Sequence, residues 1–399
     1  MTETPAIGKR RVIYIPGYDL RRPEAPFRQF EEELAAFRKN WNVQGGFSGL
    51  ALDLEPGRAS ADWNGEMAWP EGKVTASFSL LGWRDLMKRD FRRPLWVVLA
   101  GALRTFGLFA LAGGYGKGLR ANWPNGLFFL YPAMAVFVFL ALAIAPVVTM
   151  PLILPGEGGM RAGVTLAASA IWLVVLYALT RIAERWSYVW YLIHDWYAIG
   201  RLARNEDPEM TARIGAFAAR IIEIADACEP DEELVITAHS SGTFVLVYTL
   251  AEVLKRIPGF GAGQGKVTVL TMGSAFGYVG GFGAHRGFGT AVARVAEAPN
   301  LDWTDVYGPH DIMCCGRTAP VSTYAPSIAR RVSEPRRFSV RIPDRMTTER
   351  YRYLRFRFFK LHFCYFFASR RRDLFDFYRL TLGPMPAGQQ LRVWAKTPY

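Results

Sequence analysis

Histidine and cysteine are scarce in this sequence, with five and four among 399 residues. Cys228, Cys314, Cys315 and Cys364 are spaced for neither a zinc site nor a disulfide framework. They read as reduced structural thiols of a cytosolic compartment. No metal site and no cofactor are expected. Gly261–Gly265, Gly-Ala-Gly-Gln-Gly, precedes a strand instead of joining strand to helix, which fails the dinucleotide test. The N-terminus reads as lacking a signal peptide, because Arg11-Val12-Ile13-Tyr14-Ile15 already has the character of a buried strand. No nucleic-acid motif accompanies the net charge of +13 and the pI near 9.7. The basic clusters flank apolar or aromatic-rich segments, so the excess is assigned to an anionic membrane surface and not to nucleic acid.

Charge itself is missing over two long stretches, residues 121–156 and 162–180. Each exceeds or approaches the ~20 apolar residues that cross a hydrocarbon core. They predict a helical hairpin with spans at about 127–154 and 162–180, joined by a Pro-Gly-Glu-Gly-Gly tip. Pro132, Pro146 and Pro151 would kink the first span. The alternative is a pair of helices buried as a cap. A third apolar piece, 95–113, carries Arg104 at its middle and suits a helix lying in the interface. The aromatic run Trp186, Tyr188, Trp190, Tyr191, Trp196 and Tyr197 reads as a membrane-surface belt. The basic, aromatic segment 350–372 would rest on anionic headgroups or present a solvated helix face.

On either side of these stretches the sequence has the rhythm of an α/β fold. Strands are expected at 12–15, 49–54, 74–80, 233–237, 267–272 and 301–307. Helices are expected at 26–40, 210–228 and 241–256. Glycines at 277, 280, 281, 283, 287 and 289 read as a flexible loop. The division expected is 1–93 and 201–399 as two parts of one catalytic domain, with 94–200 as the membrane insertion.

The chemistry centres on Leu234-Val235-Ile236-Thr237-Ala238-His239-Ser240-Ser241-Gly242. A hydrophobic strand runs into small-x-Ser-x-Gly and a helix follows, which is the pattern of a nucleophile elbow. Ala238 stands where the motif usually has glycine. With this strand, turn and helix the chain resembles the α/β-hydrolase family, its lipase-like members in particular. That resemblance implies a mostly parallel sheet with helices on both faces and a Ser-His-Asp triad in chain order Ser, Asp, His. It implies Ser240 as nucleophile. The acid is Asp311, in Gly308-Pro309-His310-Asp311-Ile312, with Asp305 as competitor. The base is His362, the one histidine downstream of both, in a His-x-x-Tyr context ending at Tyr365. The backbone N–H groups of Ser241 and Tyr18 would form the oxyanion hole, although Pro16-Gly17-Tyr18 also fits an ordinary turn. His239 is expected to point away from the reacting face.

The function implied is a membrane-anchored serine hydrolase acting on an apolar, lipid-like acyl ester. A catalytically silent scaffold, or a thioesterase or acyltransferase using the same residues, is the alternative. The early strand and the elbow strand share a sheet in this reading, so the number of spans between them is even. Lys117, Arg120, Arg181 and Arg185 flank the hairpin base, which places the catalytic part on the cytoplasmic side of a cytoplasmic or inner membrane.

Overall fold

Strand β1 (Lys9–Ile15) lies at the centre of an eight-stranded sheet in a computed structural model describing residues 7–53, 60–155, 158–263, 267–282 and 286–396. Helix α1 (Glu24–Trp41) follows, burying Phe30, Leu34 and Phe37 at helical spacing and stopping at left-handed Asn42. The chain then forms an antiparallel meander of β2 (Gln44–Asp53), β3 (Ser60–Trp69) and β4 (Gly72–Leu81), and β4 pairs parallel to β1. On the other side of β1, strands β5 (Glu232–His239), β6 (Val267–Met272), β7 (Leu301–Tyr307) and β8 (Arg336–Ser339) add in parallel. The order is β2-β3-β4-β1-β5-β6-β7-β8. The chain builds one way from β1 and then the other way from β5. The carboxyl ends of these two strands therefore form a topological switch point, where open α/β sheets bind ligands.

Three expectations need correction. The sheet holds two strands that were not anticipated, β3 and β8. The glycine-rich stretch contains helices α10 (Phe276–Gly280) and α11 (Arg286–Glu297); Gly283 lies outside the described residues. Its glycines allow close packing: a Cβ on Gly281 would lie 2.3 Å from the Phe109 ring, and one on Gly280 2.2 Å from that of Tyr324. Third, the aromatic run is core instead of belt. Helix α7 (Val189–Ala203) buries Trp190 and Trp196 at 3% and 0% exposure, and only Trp186, before it, is exposed, at 67%.

Between β4 and α7 run α2 (Arg84–Phe91), α3 (Leu95–Leu111), α4 (Gly114–Ala121), α5 (Trp123–Ile153) and α6 (Gly158–Ser187). Two of these, α5 and α6, are long and apolar enough to cross a membrane, with mean hydropathy 2.6 and 2.1 over their most apolar windows. They pack on each other, with Trp172 Nε1 donating to the Leu142 carbonyl and Tyr131 Oη to that of Ser187. Part of the predicted tip, Gly156 and Glu157, lies outside the described residues. Helix α3 turns 109° from α2 and buries Val98, Ala102, Phe106 and Phe109, while Arg104 pairs with Glu206. Helix α8 (Pro208–Asp226) leads to β5, and α9 (Gly242–Arg256) leaves it. After β7 come α12 (Pro320–Tyr324) and, beyond β8, α13 (Ile342–Arg345), α14 (Thr348–Leu354), α15 (Phe358–Leu361), a 3-10 turn at His362–Phe366, α16 (Phe377–Leu382) and α17 (Ala387–Ala395).

Candidate active site

Strand β5 is buried along Leu234–His239, and its side chains anchor the turn that follows. At Ser240 the backbone enters the left-handed region, φ 56°, a conformation that costs a non-glycine residue roughly 1–2 kcal/mol. The turn is held from three directions. The Ser240 N–H donates to the Met272 carbonyl at the end of β6. Thr243 Oγ1 donates to the Ser240 carbonyl at 2.6 Å and accepts from the Ala275 N–H. Gly242 packs on the end of β1, where a Cβ would lie 2.4 Å from the Ile15 carbonyl oxygen. The small residue two positions after the serine is thus required by the neighbouring strand.

The loop beyond β1 touches the serine. A Cβ on Gly17 would sit 2.7 Å from Ser240 Cβ and 3.2 Å from its Oγ. Trp83 Nε1 donates to the Pro16 carbonyl, and Tyr191 Oη donates to that of Tyr18. Both carbonyls are tied back in this way. Among the described residues the Tyr18 and Ser241 amides donate to no other group.

His362 approaches from the 3-10 turn. Its Nδ1–H donates to Asp311 Oδ2 at 2.6 Å, in an environment where both side chains are buried. The same oxygen accepts from Tyr365 Oη at 2.9 Å, and Asp311 Oδ1 accepts from the Met313 N–H. Tyr365 Oη in turn accepts from the Gly308 N–H. These bonds fix the tautomer, leaving Nε2 of His362 without a proton; that atom is buried and unpartnered. Gly273, which follows Met272, makes room for the imidazole: a Cβ there would lie 3.1 Å from His362 Cε1 and 2.7 Å from the Tyr365 ring.

Asp305 lies inside β7, bonded to Thr271 Oγ1 at 2.7 Å and Ser274 Oγ at 3.3 Å. Burial raises its pKa to about 6. Of the two acids, Asp311 is the one that touches His362.

His239, expected to point away from the reacting face, instead lies against the candidate base. His239 is buried, its Nε2–H donates to the His362 carbonyl at 2.8 Å, and the two rings lie 4.5 Å apart. Burial, then repulsion from His362, holds its pKa well below the usual range, so it stays neutral. It grips the backbone of the turn that carries the imidazole. Its place before the serine was legible; its contact depends on where the distant C-terminal segment folds. The four cysteines are free. Among the described residues no three His, Cys, Asp or Glu side chains converge to hold a metal ion.

No family model, no curated protein and no solved structure matches the chain.

Proposed function

We propose that this chain is a membrane-anchored serine hydrolase of the α/β-hydrolase type, cleaving apolar acyl esters through Ser240, His362 and Asp311. One observation carries the reading. A serine in a left-handed strand-to-helix turn stands at the switch point of the sheet, and the residue before it, His239, holds the backbone of a histidine whose Nδ1–H is bound to a buried carboxylate. Such serines are strained, and strain of this kind gathers at reacting groups.

Ser240 Oγ attacks the ester carbonyl as His362 Nε2 takes its proton. The amides of Tyr18 and Ser241 receive the developing oxyanion. The imidazolium returns the proton to the leaving alcohol, and the C–O bond breaks to give an acyl-enzyme. Water, deprotonated by the same Nε2, releases the acid and restores the serine.

The membrane part is supported by α5 and α6. Val136 is the last buried residue of α5, and Phe139 and Leu140 beyond it still pack against the core. The remaining turns, 137–153, extend about 25 Å at 1.5 Å per residue, close to the ~30 Å hydrocarbon core. Exposed Phe137, Ile144, Val148, Leu152 and Ile153 on that stretch exceed what a water-soluble surface carries. The pairing of β1 with β5 supports a hairpin that begins and ends on one side, and its flanking positive charge favours the cytoplasmic side for the sheet.

The test is labelling of detergent-purified protein by a fluorophosphonate probe. Labelling of the folded protein that disappears in both Ser240→Ala and His362→Ala supports the reading. Folded wild type that stays unlabelled refutes it and favours a silent scaffold.

A further inference from the structure

Of the aromatic belt expected at residues 186–197 only Trp186 is exposed, yet a basic and aromatic surface of the right kind stands elsewhere. Over residues 352–360, along α14, α15 and the turn between them, Tyr353, Phe356 and Phe358 are exposed, Phe356 at 73%. Arg352, Arg355, Arg357 and Lys360 are exposed with them. None of these four cations is in a salt bridge among the described residues, whereas Arg350 at the edge pairs with Glu33. The cations hold the rings instead: Arg355 lies 4.7 Å from the centre of Phe356, and Arg357 lies 3.9 Å from that of Tyr353. Buried Leu354 and Leu361 fix the segment to the core, so the outward face is set by the fold.

Its position decides the partner. Phe359 stacks on Tyr188 at 3.9 Å, immediately beyond the end of α6, and meets Phe128 of α5 edge-on. The segment therefore adjoins the base of the apolar hairpin. Exposed Trp186, with the Arg185 guanidinium 3.7 Å over its ring, stands at that same base. Aromatic rings with cations around them are the chemistry of the headgroup layer, where rings sit at the acyl boundary and each cation near an anionic surface adds attraction.

We propose that residues 352–360 dock on an anionic bilayer surface, laying the catalytic domain flat against the leaflet that the hairpin enters. The proposal rests on the reading of α5 and α6 as membrane spans and not on hydrolysis. His362 follows Lys360 by two residues, so the docked surface borders the site itself.

The full chain is reconstituted in vesicles containing nitroxide-labelled lipid, on a Cys228→Ser background, with one fluorophore at Phe356→Cys. Parallel samples carry the fluorophore at Val148→Cys, in α5, or at exposed Val393→Cys on α17. Quenching at 356 in phosphatidylglycerol vesicles, lost in pure phosphatidylcholine and lost when Arg352, Arg355, Arg357 and Lys360 are all changed to alanine, supports docking. An unquenched 356 beside a quenched 148 overturns docking and leaves the hairpin standing. Equal quenching at 356 and 393 overturns it as well, since the contact would then be unspecific. An unquenched 148 removes the spans, and docking falls with them. Replacing Phe356 and Tyr353 by serine, with the charges kept, is expected to reduce quenching of a fluorophore at Phe358→Cys.

Discussion

Gly17→Ala offers a test of how closely the proposed oxyanion loop and the proposed nucleophile are fitted. The backbone at Gly17 is outside the left-handed region, so alanine brings no conformational strain, only volume. The new methyl would stand 2.7 Å from Ser240 Cβ and 3.1 Å from the His239 carbonyl oxygen. Relief requires separating two backbone segments by up to about 1 Å, since ordinary contact begins near 3.4–4 Å. Neither segment moves freely, because Trp83 and Tyr191 hold the loop and β6 holds the serine. Overpacking of this sort costs about 1–3 kcal/mol of stability. A misplacement of about 1 Å at a reacting centre costs about 10²-fold in rate, or about 2.7 kcal/mol of transition-state stabilisation. The assay is the second-order rate of fluorophosphonate labelling, measured well below the unfolding temperature, with Gly8→Ala as control because nothing lies within 4 Å of that position. A Gly17→Ala protein that labels at the wild-type rate would refute the close fit and remove the Tyr18 amide from the site.

The two carboxylates separate cleanly: Asp311→Asn is expected to lower the labelling rate by about 10⁴-fold, as loss of the tautomer-fixing acceptor does, while Asp305→Asn leaves it near wild type, and the reverse pattern would exchange their roles. Tyr365→Phe removes the bonds to Asp311 and Gly308 and should cost about 1–3 kcal/mol on thermal unfolding, with a smaller fall in labelling than Asp311→Asn. Asp195, buried in α7, has its pKa raised by burial from 3.8 to about 8. The folded state therefore holds a proton that the unfolded state releases, so this group's contribution is full below about pH 4 and is lost as pH rises to about 8. Unfolding temperatures in detergent should fall across that window, and Asp195→Asn should flatten the fall.

The sheet centre was readable because parallel strands buried on both faces are largely apolar; Val267–Met272 has the boundaries expected, and so has Leu301–Tyr307 although Asp302, Thr304 and Asp305 interrupt it. Strand β3 escaped although Ala61, Trp63, Gly65, Met67 and Trp69 face inward at period two. Small Ala61 and Gly65 weaken that alternation, and Asp62 and Asn64 imitate a turn. Trp190 and Trp196 misled because an aromatic run serves lipid and core alike; only packing against α3 and α5 tells them apart. For the site, chain order led to Ser240, Asp311 and His362; the fold bonds His362 to Asp311 and sets His239, the residue before Ser240, against His362. The roles of Tyr191, Trp83 and His239 were not legible, since each bonds a carbonyl distant in sequence or set by the loop's path.

The pairing of β1 also dictates an order of events during synthesis. One edge of β1 can be filled by β4 as soon as that strand exists, while the other waits for Glu232–Ala238. Roughly 150 residues lie between, and at ~5–20 residues per second the ribosome needs about 8–30 s to make them. Throughout that interval β1 offers an unpaired edge, an aggregation hazard. Both apolar helices emerge before β5 does. On the proposed reading of α5 and α6 as spans, both have left the ribosome before Ser240 can meet Gly17, so the anchor is available before the site is complete.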